Sequence, residues 1–248
     1  MGIGNEKAFT LAAANTELLF AMPIYRCQLT QWQVLNRQLK EVILAKKAVC
    51  KGIVRSNQLG WHSKLDLHTW DDASINVLMT LVKSAATQFL TDVSLYSGRL
   101  DPAGWQVEAW ANVNSSGASN RKHTHDTKSG VILSSFYYVC TGNPVSDEWT
   151  GHTWFESRGN IPDYFRFQPE LFSRTVDNKP KEGELILFPS WLPHGVREYR
   201  GEGERISIAV NLWHRDISLT KSTDQPSPQW AWRCFPGLMN RLKQWRDN

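Results

Sequence analysis

The sequence predicts a mainly β protein, an antiparallel sandwich or barrel with a helical N-terminal flank. Between residues 105 and 213, short alternating or β-branched runs are separated by Gly, Pro, Asn and Asp, as strands are by turns. The predicted strands are Gln106–Val113, Val131–Cys140, Glu184–Phe188 and Arg205–Leu212. Long helical patterns are absent from this half, which argues against a parallel α/β sheet.

Two amphipathic helices are predicted within residues 1–100. The first, from Gln31 to Lys46, carries Trp32, Leu35, Leu39, Val42 and Ile43 at helical spacing. The second begins after Trp70, with Asp71 or Asp72 as its N-cap. Its apolar stripe consists of Ile75, Leu78, Leu81, Val82, Ala85 and Phe89.

The length and composition predict one domain over residues 1–248. With 41% hydrophobic and 21% charged residues, the chain can bury one sizeable core. We divide it into a mostly helical flank (1–100), a β core (105–213) and a C-terminal extension (214–248). The sequence leaves open whether this extension packs on the core, covers the site or mediates a homodimer.

Several classes of protein are disfavoured by the composition. No run of 18 apolar residues and no secretory signal is present, so we expect a cytoplasmic protein without membrane contact. The four cysteines form no Cys-x-x-Cys pair, which argues against a zinc ribbon or a thioredoxin-like site. The net charge of +4 comes from interspersed charges without a basic block, so nucleic-acid binding is not expected.

Two histidines one residue apart, His123 and His125, form the first candidate metal motif. On an extended strand, residues i and i+2 project to the same face, so both imidazoles can reach one ion. A polar, solvent-facing loop is the alternative interpretation. Asp126 would point to the opposite face of the strand, which makes it a fallback ligand if the backbone is bulged.

His194 and Arg205 form the second candidate motif. An apolar strand runs into a Pro-Ser-Trp-Leu-Pro turn that presents His194, and Arg205 follows eleven residues later across a Gly-rich turn. If the two lie on antiparallel strands, both can point into one barrel mouth. Alternation then places Ser207 on the same inner face as Arg205.

A buried arginine needs an anionic partner, because an unpaired buried charge is costly. The carboxylate of a dicarboxylic acid can accept a bidentate bond from Arg205 and a further bond from the Ser207 hydroxyl. The alternative is an ion pair of Arg205 with Glu202 or Glu204 at the turn.

Three further side chains are candidates for binding the same ligand. Asn112 and Asn114 share one face of the strand that precedes the histidine pair. Tyr138 lies on an alternating strand and could reach a carboxylate, although a buried core phenol explains it equally well.

These motifs together resemble the iron(II) and 2-oxoglutarate (2OG) dependent oxygenases, in particular a bacterial and phage group with an His-x-His, His and Arg-x-Ser pattern. The resemblance extends over most of the chain. Its most specific blocks are Leu187–His194 and Arg205–Ile208. It implies a double-stranded β-helix, or jelly roll, as the core. In the superfamily at large a carboxylate follows the first histidine, and His125 replaces it here.

The resemblance implies iron(II) held by His123, His125 and His194, with 2OG and dioxygen as co-substrates. Arg205 and Ser207 would bind 2OG. The implied reaction hydroxylates a small molecule, amino acid or peptide and releases succinate and CO2. Two alternatives remain open: a cupin-type metalloenzyme (dioxygenase or isomerase) that does not use 2OG, and a non-catalytic binding sandwich.

Overall fold

The structure, a computed structural model, describes residues 22–93, 100–125, 130–146, 149–157 and 175–217. Within these ranges the chain forms two α-helices, α1 (Trp32–Val49) and α2 (Ala73–Asp92), and thirteen strands. The strands are β1 (Tyr25–Gln28), β2 (Asn57–Gln58), β3 (Trp61–His62), β4 (Trp105–Asn114), β5 (Ser119–His123), β6 (Leu133–Cys140), β7 (Asn143–Pro144), β8 (Thr153–Glu156), β9 (Thr175–Asn178), β10 (Glu184–Pro189), β11 (His194–Val196), β12 (Gly201–Glu202) and β13 (Arg205–His214).

The strands form two main antiparallel sheets, as in a jelly roll. The larger sheet has the order β1-β10-β6-β13-β4-β3, and the smaller has the order β2-β5-β11-β8-β9. Strands β7 and β12 form a separate two-stranded ribbon. The predicted fold class is confirmed, and the four predicted strands correspond to β4, β6, β10 and β13 within two residues at each end.

Both helices belong to one apolar core, together with one face of the larger sheet. Helix α2 begins where the sequence predicts, with the Asp72 carboxylate accepting hydrogen bonds from the backbone N–H of Ser74 and Ile75. Leu81, which the helical pattern assigns to the buried stripe, is exposed instead. Leu78 and Val82 are both buried, and Leu81 lies beside them at the edge of the apolar stripe, where its side chain faces water.

Helix α1 is fastened to the sheet by a polar residue that the apolar pattern does not predict. Asn36 is buried, accepts a hydrogen bond from the Tyr137 hydroxyl at 2.6 Å and donates one to the Tyr138 carbonyl at 3.2 Å. Leu39 and Ile43 are also fully buried on this face. No helix among the described residues has the length and apolar character needed to cross a membrane.

The other face of the larger sheet looks toward the smaller sheet. A second apolar cluster fills part of the space between them: Phe136, Tyr138, Phe155, Ile186, Phe188 and Leu192. The rest of this space is lined by polar side chains from both sheets. Six of the candidate site residues line it: Asn112, His123, His125, His194, Arg205 and Ser207.

Candidate active site

Three histidines from two distant parts of the sequence meet between the two main sheets. His123 and His125 come from the first part of the β core, and His194 comes from its last part. One ring nitrogen from each of His123, His125 and His194 lies within 4.8 Å of the other two. The Nε2 atoms of His125 and His194 are 3.2 Å apart. This arrangement suits a single metal ion bound by three imidazoles.

Strand pairing explains why the histidines meet. His123 at the end of β5 is the direct cross-strand partner of His194 at the start of β11. His125 lies two residues beyond the end of β5, and its backbone N–H donates to the Ser190 carbonyl at 3.0 Å. This hydrogen bond keeps the chain beside the turn that precedes His194.

Backbone carbonyls orient two of the imidazoles. Nδ1 of His123 is 2.8 Å from the Arg121 carbonyl, and Nδ1 of His194 is 2.8 Å from the Leu192 carbonyl. Because a carbonyl only accepts, each Nδ1 carries the proton and each Nε2 keeps its lone pair. The lone pairs are therefore available to a metal ion.

Burial keeps all three imidazoles neutral. It is the main cause that lowers the pKa of His123 and of His194, and together with the neighbouring His123 it lowers the pKa of His125 to about 3. A metal ligand must be deprotonated, so the cluster is in the protonation state that binds a cation.

Arg205 lies in the same cavity as the histidines, and its side chain is almost fully buried, at 1% exposure. It donates to the Gly151 carbonyl (2.9 Å), the Ser207 hydroxyl (3.3 Å) and the Thr153 hydroxyl (3.2 Å). All three acceptors are neutral. Since a guanidinium has five N–H groups, two remain for a ligand.

No carboxylate pairs with Arg205 among the residues that the structure describes. Glu204 forms an ion pair with Lys47 of α1, and Glu202 contributes only its backbone carbonyl, to the Tyr199 hydroxyl. The pairing of Arg205 with either turn glutamate, the alternative from the sequence, is therefore not observed. Within the described part of the chain the guanidinium is a buried charge without a counter-ion, which is a costly arrangement unless a ligand supplies one.

The cavity joins the histidines to Arg205. On β8, Phe155 is the cross-strand partner of His194, while Thr153 two residues away bonds Arg205. Two residues of a strand cover roughly 7 Å. The cavity has an empty volume of about 470 Å³ including solvent at its mouth. Its other walls include Trp110, Asn112, Asn120, Phe188, Ser207 and Ala209.

The remaining predicted ligand-binding residues differ in their positions. Asn112 lines the cavity, and its buried Oδ1 has no hydrogen-bond partner among the described residues. Asn114 is fully buried and donates to the Asn120 side chain at 3.2 Å.

The Tyr138 hydroxyl donates to Thr153 at 2.8 Å and accepts from Asn178 at 3.1 Å, and its ring lies beneath the Arg205 guanidinium. Asp126 lies outside the described residues.

Two residues that contact Arg205 were missed by the sequence analysis. Thr153 and Gly151 belong to a segment without a recognisable motif. Gly151 has a φ of +65°, and a Cβ there would lie 3.2 Å from Arg205 Cδ. Glycine thus permits both the left-handed backbone and the close approach of the arginine.

Sequence comparison shows which family the β core resembles. Residues 108–211 match the sequence model of the family described as "Putative 2OG-Fe(II) oxygenase". This segment includes all three histidines, Arg205 and Ser207. The β core of this chain is therefore similar in sequence to the 2OG-Fe(II) oxygenases, as the resemblance predicts, and the match covers less than half of the chain. No protein of curated function matches the chain.

Solved structures with the same fold are distant in sequence. A prolyl-4-hydroxylase from Pseudomonas putida is 16% identical with a TM-score of 0.56, covering 79% of this chain and 95% of its own. A prolyl hydroxylase from Trichoplax adhaerens, bound to a hypoxia inducible factor peptide, is 14% identical with a TM-score of 0.51, covering 78% and 84%. The α-ketoglutarate-dependent epimerase SnoN of nogalamycin biosynthesis is 11% identical with a TM-score of 0.55, covering 83% and 86%. At these identities the likeness concerns the fold.

The side chains fit the cofactor and co-substrate of the family. Three neutral imidazoles with convergent lone pairs are a donor set for iron(II). The buried guanidinium of Arg205, with hydroxyls beside it and no counter-ion from the residues that the structure describes, suits one carboxylate of 2OG.

The neutral His125 predicts how the stability of the metal-free protein depends on pH. Its pKa is about 3 in the folded state against an ordinary value of 6.5, so below pH 6.5 the unfolded chain binds a proton that the folded chain does not. The free energy of unfolding should therefore fall with decreasing pH, by about 1.4 kcal/mol per unit from this group between pH 6 and 4. Urea denaturation of the chelator-treated protein measures this slope. His125→Gln should flatten it, and an unchanged slope in that variant would contradict the assignment.

Proposed function

We propose that the protein is a 2OG-dependent hydroxylase in which His123, His125 and His194 hold iron(II) and Arg205 binds the co-substrate. The observation that carries this proposal is the buried Arg205, which lacks a counter-ion among the described residues and shares one cavity with the histidine cluster. A dianion that reaches from the metal to the guanidinium would satisfy both ends of the cavity.

Each residue has a distinct role in this proposal. The three Nε2 atoms bind the metal, and the backbone carbonyls of Arg121 and Leu192 keep two of the rings in position. Arg205 takes the distal carboxylate of 2OG, with the hydroxyls of Ser207 and Thr153 beside it. Asn112, whose amide oxygen has no hydrogen-bond partner in the described ranges, lies along the wall between these ends and can accept a hydrogen bond from a ligand.

Asn114 and Tyr138 act through other residues in this proposal. Asn114 is the cross-strand partner of Arg205 on β4, and Tyr138 is the partner of Ser207 on β6. Tyr138 also holds the Thr153 hydroxyl that Arg205 contacts. Both are positioning residues for the anion-binding end of the cavity.

When bound, iron(II) with 2OG and dioxygen supplies the oxidising power to hydroxylate a C–H bond, with release of succinate and CO2. The apolar cluster around Phe136, Phe155 and Phe188 keeps bulk water away from the histidine end of the cavity. A small molecule, an amino acid or a peptide is the proposed substrate class. The fold neighbours include both prolyl hydroxylases and an epimerase. We propose hydroxylation because it is the usual outcome of this chemistry.

Succinate production tests the proposal. Iron(II)-loaded protein should convert 2OG to succinate in air, and the rate should rise when a screen of amino acids, peptides and small metabolites includes a substrate. A cupin-type enzyme that does not use 2OG would form no succinate. A protein that binds iron yet forms none with any compound would contradict the proposal.

The third metal ligand can be assigned by comparing His125→Ala with Asp126→Ala. We expect His125→Ala to reduce iron affinity more than about 100-fold, because even residues that only support a ligand contribute 10- to 100-fold. Asp126→Ala should be the milder change. Iron content after dialysis against graded chelator measures both, and the reverse order would assign the third ligand to Asp126.

A further inference from the structure

A second cavity meets the first at His123 and His125. Its other walls include Arg55, His62, Glu108, Trp110 and Asn211. Glu108 and Asn211 are cross-strand partners on β4 and β13, and Asn211 is six residues along β13 from Arg205. Six strand residues span roughly 20 Å. The two cavities therefore leave the histidine cluster in opposite directions, and the second one is on the side away from the proposed 2OG site.

Glu108 places a carboxylate in the lining of this second cavity. It accepts one long hydrogen bond, from the Asn211 amide at 3.4 Å, and forms no ion pair within the described ranges. Asn211 is held in turn by the Ser134 hydroxyl at 3.0 Å. The carboxylate is thus held in place by Asn211 and keeps free acceptor positions.

The basic side chains near Glu108, which are His62, His68 and Arg55, do not pair with its carboxylate. Burial lowers the pKa of His68 and of His62, so both are neutral near pH 7. Arg55 lines the cavity but is exposed and makes no ion pair with Glu108.

The metal centre would not neutralise Glu108 either. With three neutral ligands, the two positive charges of iron(II) equal the two negative charges of 2OG. A substrate that enters the second cavity would therefore meet the Glu108 carboxylate beside the metal site, while the charged group of Arg55 belongs to an exposed side chain of the same lining. A partly desolvated carboxylate favours a cationic ligand and disfavours an anionic one.

We propose that the substrate carries a protonated amine or guanidinium that binds Glu108, so that a C–H bond farther along the same molecule faces His123 and His125. This inference rests on the proposed function. It identifies Glu108 as a specificity-determining residue, with Asn211 holding its carboxylate and Trp110 forming the wall toward the histidines.

Capped single residues test the charge preference. Wild-type protein with iron and 2OG is titrated with the Nα-acetyl amides of lysine, arginine, norleucine, glutamine and glutamate, and succinate is measured. We expect the lysine and arginine probes to accelerate succinate release at concentrations at least about 10-fold lower than the neutral probes. Glu108→Gln should remove this preference, and Glu108→Lys should shift it toward the glutamate probe. Glu41→Gln, which changes an exposed carboxylate of α1, should retain it.

The outcomes separate this inference from the proposed function. If neutral or acidic probes are as effective as the cationic ones, if no cationic probe has an effect, or if Glu108→Gln keeps the preference, the amine assignment is wrong. These results leave the proposed function standing as long as iron and 2OG still bind together. If they do not bind together, the proposed function itself is wrong.

Discussion

His194→Ala is expected to abolish iron binding and to lower 2OG-dependent succinate formation by more than about 100-fold. His194 is 6% exposed, lies at the centre of the cluster and is the cross-strand partner of His123. Its Nδ1 is fixed by the Leu192 carbonyl, so its removal leaves two imidazoles and no replacement donor among the described residues. Loss of a ligand should exceed the 10- to 100-fold that supporting residues contribute.

A buried histidine outside the cluster provides the control. His152 precedes β8, is 8% exposed and is not part of the metal cluster. His152→Gln should keep the iron content of the wild-type protein. Iron determined by elemental analysis after anaerobic loading and desalting compares the two variants, and equal iron content in His194→Ala and wild type would exclude His194 as a ligand.

Arg205→Ala should raise the 2OG concentration needed for half-maximal succinate formation by about 150- to 5000-fold. Breaking a buried ion pair by removing one partner costs about 3–5 kcal/mol, which corresponds to that range. Iron binding should be retained, because Arg205 binds no histidine. Arg37→Ala, which removes an exposed arginine of α1, is the matched control and should change neither quantity.

The thermal midpoint of Arg205→Ala should depend on 2OG differently from that of the wild-type protein. Without 2OG, Arg205 is a buried charge whose partners among the described residues are all neutral, so its removal should not lower the thermal midpoint by the amount expected for breaking a buried ion pair. Added 2OG should raise the midpoint of the wild-type protein and not that of Arg205→Ala. Loss of iron from Arg205→Ala would mean that its role lies at the metal instead.

The strands and the inward face of β13 were predictable because their signals are local. Alternation placed Arg205 and Ser207 on the cavity face, while Ile206 and Ile208 are fully buried in the opposite core. The spacing of the two histidines in His-x-His indicated a shared target, although β5 ends at His123 and a backbone hydrogen bond holds His125. The alternation rule for strands therefore predicted correctly that the two imidazoles meet, although His125 lies beyond the end of the strand.

Contacts between distant segments were not predictable. Arg205 contacts Gly151 and Thr153, more than 50 residues earlier in the chain, and no spacing rule connects them. Asn36 interrupts the apolar face of α1 because the Tyr137 hydroxyl requires a partner there. Glu108 appears as an ordinary polar residue of an alternating strand, and only the pairing of β4 with β13 brings it beside Asn211.

The most direct test of the account is an anaerobic titration of the iron(II)-loaded protein with 2OG, followed by visible absorption. The wild-type protein should give a weak charge-transfer band when iron and 2OG are bound together. The band should be absent in His194→Ala and should require at least about 100-fold more 2OG in Arg205→Ala. A wild-type protein that holds iron but gives no band at any 2OG concentration would contradict the assignment of this cavity to iron and 2OG.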